Sequence, residues 1–560
     1  MNRFQHRTVL FFVLACVALC VQSAERVPGR AAIASAHPLA SQAGMEILAK
    51  GGNAFDAAVA VAAALSVVEP NASGLGAGGF FLLHRASDSR NVMIDAREKA
   101  PGASTRDMFL DAQGKPVPGL STQSVLAAGI PGEPAGLAML VEKYGRLPLK
   151  VNLQPAIRLA REGFPLYARL QGGIRGKQQA LAASPDTRRL FLQNGEVPPL
   201  GYVIKQPELA KTYEMLAEKG IGAYYTGPFA RKLVAGVRKM KGIWSEQDLA
   251  DYRAVEREVV AGEYRGARII SASPPASGGI AIIDALNIVE GFDYAALDPV
   301  TRIHLVVESM RRAQRDRALF LGDPDFVKVP TERLINKYYA DGQRTSLRLD
   351  RATPSVMLPS DAIEVSQGTH TTHYSVLDKE GNRVGATITL NLWFGSGLMI
   401  PGTGIVLNNQ MDDFSIKAGT PNAYQLIGAD ANAIAPGKRM LSSSAPIFVE
   451  AARGLMIAGT PGGSTIISTV LLATLDFMDG KSAQQIVSAP RYHHQYFPDQ
   501  ISYEPGTFDA AQQKTLTDLG HQLREVRQRW GNLQVITWEY DGNQLEAAAD
   551  PRGDGEGFVY

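Results

Sequence analysis

The stretch GTHTTHYSV, residues 368–376, sets three threonines and two histidines at the head of an alternating, strand-like run. A second such run, RVGATITLN, residues 383–391, follows the turn KEGN, residues 379–382, where Gly381 supplies a permissive backbone. The pair reads as a hairpin. Counting back from the turn sets Thr371 across from Thr389 or Leu390. Strand alternation then puts Thr389 and Asn391 on one face. A threonine hydroxyl is a poor nucleophile until a base takes its proton. The base could be a neighbouring imidazole. It could also be the residue's own α-amine, freed by a cut in the preceding bond; such an amine titrates at about pH 8 in a simple peptide. β-Branched residues also favour strands with no chemistry attached.

Working outward, the 560 residues allow a large core, and 45% hydrophobic with 20% charged residues is ordinary for a globular chain. A net charge of +2 does not suggest a nucleic-acid partner. Arg3 and Arg7 precede an apolar run of 13 residues, Val9–Val21. This is too short to span a bilayer and reads, over residues 1–23, as a cleavable export signal with no stable membrane anchor. Both cysteines, Cys16 and Cys20, fall inside it, so the exported chain would have no thiol chemistry. Two helices are expected from Pro38 to about Val68, with Asn53 as the second cap. The glycine-rich SGLGAGGFFLL precedes a strand, the reverse of a dinucleotide loop. Residues 125–340 read as mainly helical, and those after 365 as strand-rich with a long helix at Thr465–Met478. The order favours an α+β layered sandwich. The adjacent His493 and His494 would face opposite sides of a strand, so no metal site is expected. Asn71-Ala72-Ser73 fits a glycosylation sequon, a short and common pattern.

The ordered motifs HPLASQAGMEIL, GGNAFDAAVA, LGDPDFVKVP, TTHYSV, LNNQMDDFS, DANA, LSSSAP, TPGGS and PRYHHQ run from about residue 30 to the end. Together they resemble the γ-glutamyltranspeptidases, bacterial in type, self-cutting enzymes with an N-terminal nucleophile. The resemblance implies a four-layer αββα sandwich. It implies a cut between His370 and Thr371, giving a large subunit, 24–370, and a small one, 371–560. Thr371 matches the nucleophile and Thr389 the threonine bonded to it. Gly462 and Gly463 match the oxyanion hole, and His373 is then structural. Arg97 matches the arginine for the substrate α-carboxylate, with Ser442 and Ser443 beside it. Asp413 matches the partner of the α-ammonium, with Gln410 and Asn391 near; Asp412 should face away if this stretch is a strand. Tyr424 falls at the gating position of a lid.

The implied activity is transfer of a γ-glutamyl group from glutathione or related amides to water, an amino acid or a peptide, without metal or organic cofactor. The implied location is the periplasm or the medium. Leu392-Trp393 departs from the pattern, since many relatives carry small hydroxyl residues there, and this bears on the acceptor. The rivals are a glutaryl or cephalosporin acylase of the same family, a poly-γ-glutamate hydrolase and an exported amino-acid- or peptide-binding protein.

Overall fold

The computed structural model describes residues 26–358 and 371–560. The expected export signal and His370 lie outside the described residues. The run after Thr371 is the strand Thr372–Leu377, paired antiparallel with Arg383–Thr389. Thr372 faces Ile388, so the next pair outward brings Thr371 to Thr389, as the turn count predicts. Asp378 closes the turn by accepting from the backbone N–H groups of Glu380 and Asn382, and Gly381 takes φ +95°.

These two strands lie inside a seven-stranded sheet. Its order is Glu556–Val559, Ala32–Ser35, Thr372–Leu377, Arg383–Thr389, Gly78–Arg85, Arg90–Ala96, Val255–Arg257. A six-stranded sheet runs Gln544–Ala549, Gln534–Glu539, Gly454–Gly459, Ile447–Ala451, Ala267–Ser271, Val260–Tyr264. The facing sides meet through Ala34, Leu82, Ile270, Leu377, Phe448 and Ile457. The helix Ala54–Val68, buried along its whole length, belongs to the core outside the first sheet. Asn53 caps it, accepting from Phe55 and Asp56 N–H, while the Asp56 carboxylate accepts from Asn53 N–H. The helices Gly278–Glu290 and Thr465–Met478 cover the second sheet, and Pro299–Phe320 packs on the first of them. The result is the four-layer αββα sandwich expected.

The helix-rich first part and the strand-rich second part expected from the sequence share both sheets. Residues before 371 supply four strands of the first sheet and two of the second. The three strands between Val255 and Ser271 are short and carry charged residues on partly exposed positions, so they lack a plain alternating signal. Both sheets are therefore built from chain on either side of the expected cut. The strand ladder begins at Thr372, so a cut before Thr371 removes no ladder hydrogen bond. It also leaves the buried apolar side chains in place, each worth roughly 1.5–3 kcal/mol. No described helix is long and apolar enough to cross a membrane.

Candidate active site

Thr371 is buried at the end of the first sheet, and its hydroxyl donates to Thr389 Oγ1 at 3.2 Å. Thr389 Oγ1 also accepts from Asn391 N–H at 2.8 Å, which holds it in place. The partner found for the Thr371 hydroxyl is a hydroxyl, and the imidazole of His373 is engaged elsewhere. His373 lies between the sheets, bonded to Thr387 at 2.8 Å and Ser375 at 3.2 Å, with Gly459 against its ring. Burial lowers its pKa to about 3, so it stays neutral there.

A small cavity of about 20 Å³ adjoins Thr371. Its lining includes Arg97, Thr389, Asn391, Gln410, Asp413, Tyr424, Ser442, Ser443 and Gly463. Residues far apart in sequence thus meet as the motifs required. Arg97 follows the strand Arg90–Ala96 directly and is 0% exposed. Its guanidinium donates to the carbonyls of Met440 at 3.1 Å and Leu441 at 3.3 Å. It also donates to Asp413 Oδ2 at 2.5 Å. The two charges expected to face the α-carboxylate and the α-ammonium of a substrate are here paired with each other. Gln410 Nε2 adds a bond to the same oxygen at 2.7 Å.

The separation of Asp412 from Asp413 is as expected, but the reason is not strand alternation. Gln410–Asp413 is a 3₁₀ turn. The turn directs Asp412 to Ser121 Oγ at 2.7 Å and Ala423 N–H at 2.8 Å, and leaves Asp413 on the cavity. Asn391 also needs correction. The strand ends at Thr389, and Asn391 takes φ +76°, a left-handed conformation uncommon outside glycine. Its amide reaches the cavity through that bend rather than along a strand face. Asn391 Oδ1 and Gln410 Oε1 are buried acceptors with no partner among the described residues.

Behind the serines stands Arg317, which the motifs did not single out. It donates to Ser277 Oγ at 2.9 Å and Ser443 Oγ at 3.1 Å. Burial lowers its pKa to about 10, so it remains a cation at neutral pH. Ser442 Oγ donates to Ser444 Oγ at 2.9 Å. Burial pushes Glu98 up to about 8, against the pull of Arg97. Gly462 and Gly463 precede the helix Thr465–Met478, with φ +150° and +56°. Among the described residues nothing accepts a hydrogen bond from either N–H. Tyr424 lies over the cavity, its hydroxyl donating to the Asn391 carbonyl. A Cβ at Gly463 would come 2.2 Å from the Tyr424 ring, so only glycine fits there.

The rings of His493 and His494 take different partners. His493 bonds Ser468 and Gln495, while His494 bonds Asp499. One buried group, His304, Glu308 and His521, has metal-like spacing. Its atoms are engaged otherwise: the two rings bond each other at 2.7 Å, and Glu308 pairs with Arg311 and Arg312. Asn71 is buried at 2% exposure and is no glycosylation site in this fold.

The family model for gamma-glutamyltranspeptidase matches residues 40–560. This chain belongs to the gamma-glutamyltranspeptidase family. The glutathione hydrolase proenzyme of Escherichia coli (strain K12) is 42% identical over 525 residues, covering 93% of this chain and 90% of that protein. Among solved structures, the cephalosporin acylase from Bacillus halodurans superposes with a TM-score of 0.82 at 29% identity, over 94% of this chain and 95% of that one. The gamma-glutamyltranspeptidase of Helicobacter pylori is 39% identical with a TM-score of 0.57, over 60% of this chain and 96% of that one. The gamma-glutamyltranspeptidase fold is that of the N-terminal-nucleophile hydrolases.

Proposed function

We propose that this chain is an exported, self-processing γ-glutamyl transferase and hydrolase with Thr371 as nucleophile. In the first stage the Thr371 hydroxyl attacks the His370 carbonyl. The peptide bond shifts to an ester on Oγ and the Thr371 amine is released; water then cleaves the ester. In the second stage that amine takes the hydroxyl proton, and Oγ attacks the γ-carbonyl of the donor. The developing oxyanion is held by the N–H groups of Gly462 and Gly463, each donor worth roughly 2.7–4 kcal/mol in such sites. The amine passes the proton to the departing nitrogen. Water or an acceptor amine then attacks the glutamyl ester and restores Thr371. Thr389 positions the hydroxyl, and Tyr424 closes the pocket over the intermediate.

The observation that carries the γ-glutamyl reading is the set of oxygens at one end of the pocket. The Asp413 carboxylate sits beside the unpartnered buried oxygens of Asn391 and Gln410. An α-ammonium brings three donors to three such acceptors. Arg97, Arg317 and the two serines then suit the α-carboxylate. A glutaryl group, lacking the ammonium, would leave those oxygens unsatisfied in a buried site, which disfavours the acylase reading. The proenzyme named among the relatives supports processing into a large subunit, 24–370, and a small one, 371–560. The basic, apolar and then polar start of the chain supports export to the periplasm or beyond.

Incubation with glutathione tests the reading, following free glutamate and γ-glutamyl dipeptides with and without an added amino acid. A denaturing gel is run in parallel. Two fragments and released glutamate are expected. A single uncleaved band with no glutamate would fit the exported binding protein instead.

A further inference from the structure

The second threonine of the junction takes no part in the proposed chemistry. Thr372 is the first residue of the strand ladder, opposite Ile388, and is 0% exposed. Strand alternation sets it on the same face as Tyr374 and Val376, which pack with the buried helix Ala54–Val68. On that face it carries a hydroxyl, which donates to Glu69 Oε2 at 2.7 Å.

Glu69 follows the helix directly, and its N–H donates to the Leu65 carbonyl at 2.7 Å. It is 3% exposed. A carboxyl is badly placed there for stability. It is out of water, at the end of a helix whose last carbonyls already carry partial negative charge. Burial pushes its pKa up and Asp554 adds to this, while Arg169 and the Thr372 hydroxyl pull the other way.

The same turn holds the other strand of the hairpin. The Glu69 carbonyl accepts from Ala72 N–H at 2.9 Å. The Ala72 carbonyl then accepts from Leu390 N–H at 3.0 Å, and the Asn71 carbonyl from Phe394 N–H at 2.8 Å. Residues 69–72 thus bond both arms of the hairpin at one end. The residue after Thr371 is held through a side chain, and the residue after Thr389 through the backbone. The 3.2 Å contact between the Thr371 and Thr389 hydroxyls lies at that same end. Before a cut, Thr371 has chain on both sides. After it, Thr371 is a chain end one residue outside the ladder, and chain ends fray unless tied down.

We infer that Glu69 is a positioning residue: through Thr372 it ties down the new N-terminus and holds the Thr371 hydroxyl at Thr389 for attack. This rests on the γ-glutamyl reading with Thr371 as nucleophile, and adds the group that steadies it.

The test measures kcat and KM for glutamate release from glutathione in processed enzyme, with self-cleavage and melting temperature alongside. Thr372→Val keeps the shape and removes the hydroxyl. It should still cut itself, with kcat down roughly ten- to a hundredfold and KM within about twofold, as for a misplaced reacting group. Thr372→Ser, which keeps the hydroxyl, should restore most of the loss. Glu69→Met should match Thr372→Val, and the two together should be no worse than either, since both remove one bond. Where Glu69→Met fails to fold, the valine and serine variants decide between them. A Thr372→Val enzyme with wild-type kcat, a serine variant as slow as the valine one, or losses that add in the double variant would each overturn the assignment. So would a folded Thr372→Val chain that stays uncut, because the bond would then be needed before the new N-terminus exists. A wild type that cuts itself but releases no glutamate overturns the γ-glutamyl reading, and this role with it, a different result from rapid turnover in Thr372→Val.

Discussion

The two cavities that share the glycine pair differ in size and in the charge of their walls. The smaller one, about 20 Å³, is lined by buried groups that already bond one another, with Tyr424 across it. The larger one, about 340 Å³, is lined by Arg169, Lys177 and Arg529 and by no acid, and Lys177 and Arg529 have no ion-pair partner among the described residues. A buried, geometrically matched site discriminates by leaving polar groups unsatisfied when the wrong ligand enters. A larger, charged site acts through longer-range attraction and tolerates variety in shape. The smaller cavity should therefore read its ligand strictly, and the larger one by charge more than by form.

The severest way to break this contrast is at Thr371, the proposed nucleophile, which lines the smaller cavity. Thr371→Ala should leave one uncut chain, with activity down on the order of 10⁴-fold or more. Gel analysis and glutamate release check this. N-terminal sequencing of the wild-type small fragment should read Thr-Thr-His-Tyr, and any other start would remove Thr371 from the centre of the scheme.

Next in size is Asp413→Asn, which acts only on the smaller cavity. It removes a charge-assisted contact worth about 1.5–3 kcal/mol, hence roughly ten- to a hundredfold in kcat/KM for glutamyl substrates. Glutaryl analogues should lose much less. Equal losses on both would mean that Asp413 does not read the ammonium.

In the larger cavity, Leu392-Trp393 changed to Thr-Thr takes away one wall. At fixed acceptor concentration the transfer-to-hydrolysis ratio should rise several-fold, up to about tenfold, as bulk near the acceptor is relieved. A fall in melting temperature with the ratio unmoved would make Trp393 a packing residue only.

The smallest effect is expected from Glu98, beneath the smaller cavity. Its pKa is raised by burial to about 8, so the folded state binds its proton more tightly than the unfolded state does. Stability from this group is complete below the unfolded carboxylate range and is lost as pH rises toward 8. Melting temperature should accordingly slope downward over that window in the wild type, and less in Glu98→Gln. Identical slopes would show that Glu98 does not titrate there.

The smaller cavity was far more legible in the sequence than the larger one. The Thr371–Thr389 pairing follows from a short hairpin whose register its turn sets, a purely local matter. Arg97, Asp413 and the glycines stand in compact motifs, although what separates Asp413 from Asp412 is a 3₁₀ turn and not the alternation of a strand. Arg317 was not legible. It is one of four arginines between 311 and 317 on a 22-residue helix, and only the fold selects the one that meets Ser443. The larger cavity was legible only at Trp393. Its cations come from a helix and a loop about 350 residues apart, in stretches with no motif.

The interleaving of strands from both sides of residue 371 has a consequence for the life of the molecule. Before the cut, folding is a unimolecular event, and every strand is tethered to its neighbours. After it, the same two sheets join two separate chains. The processed enzyme keeps its native contacts, but once unfolded it must find its partner by collision, at a rate that depends on concentration. Maturation thus works as a ratchet: the chain assembles cheaply once as a single piece, and the active form is a state it does not regain as readily after being lost.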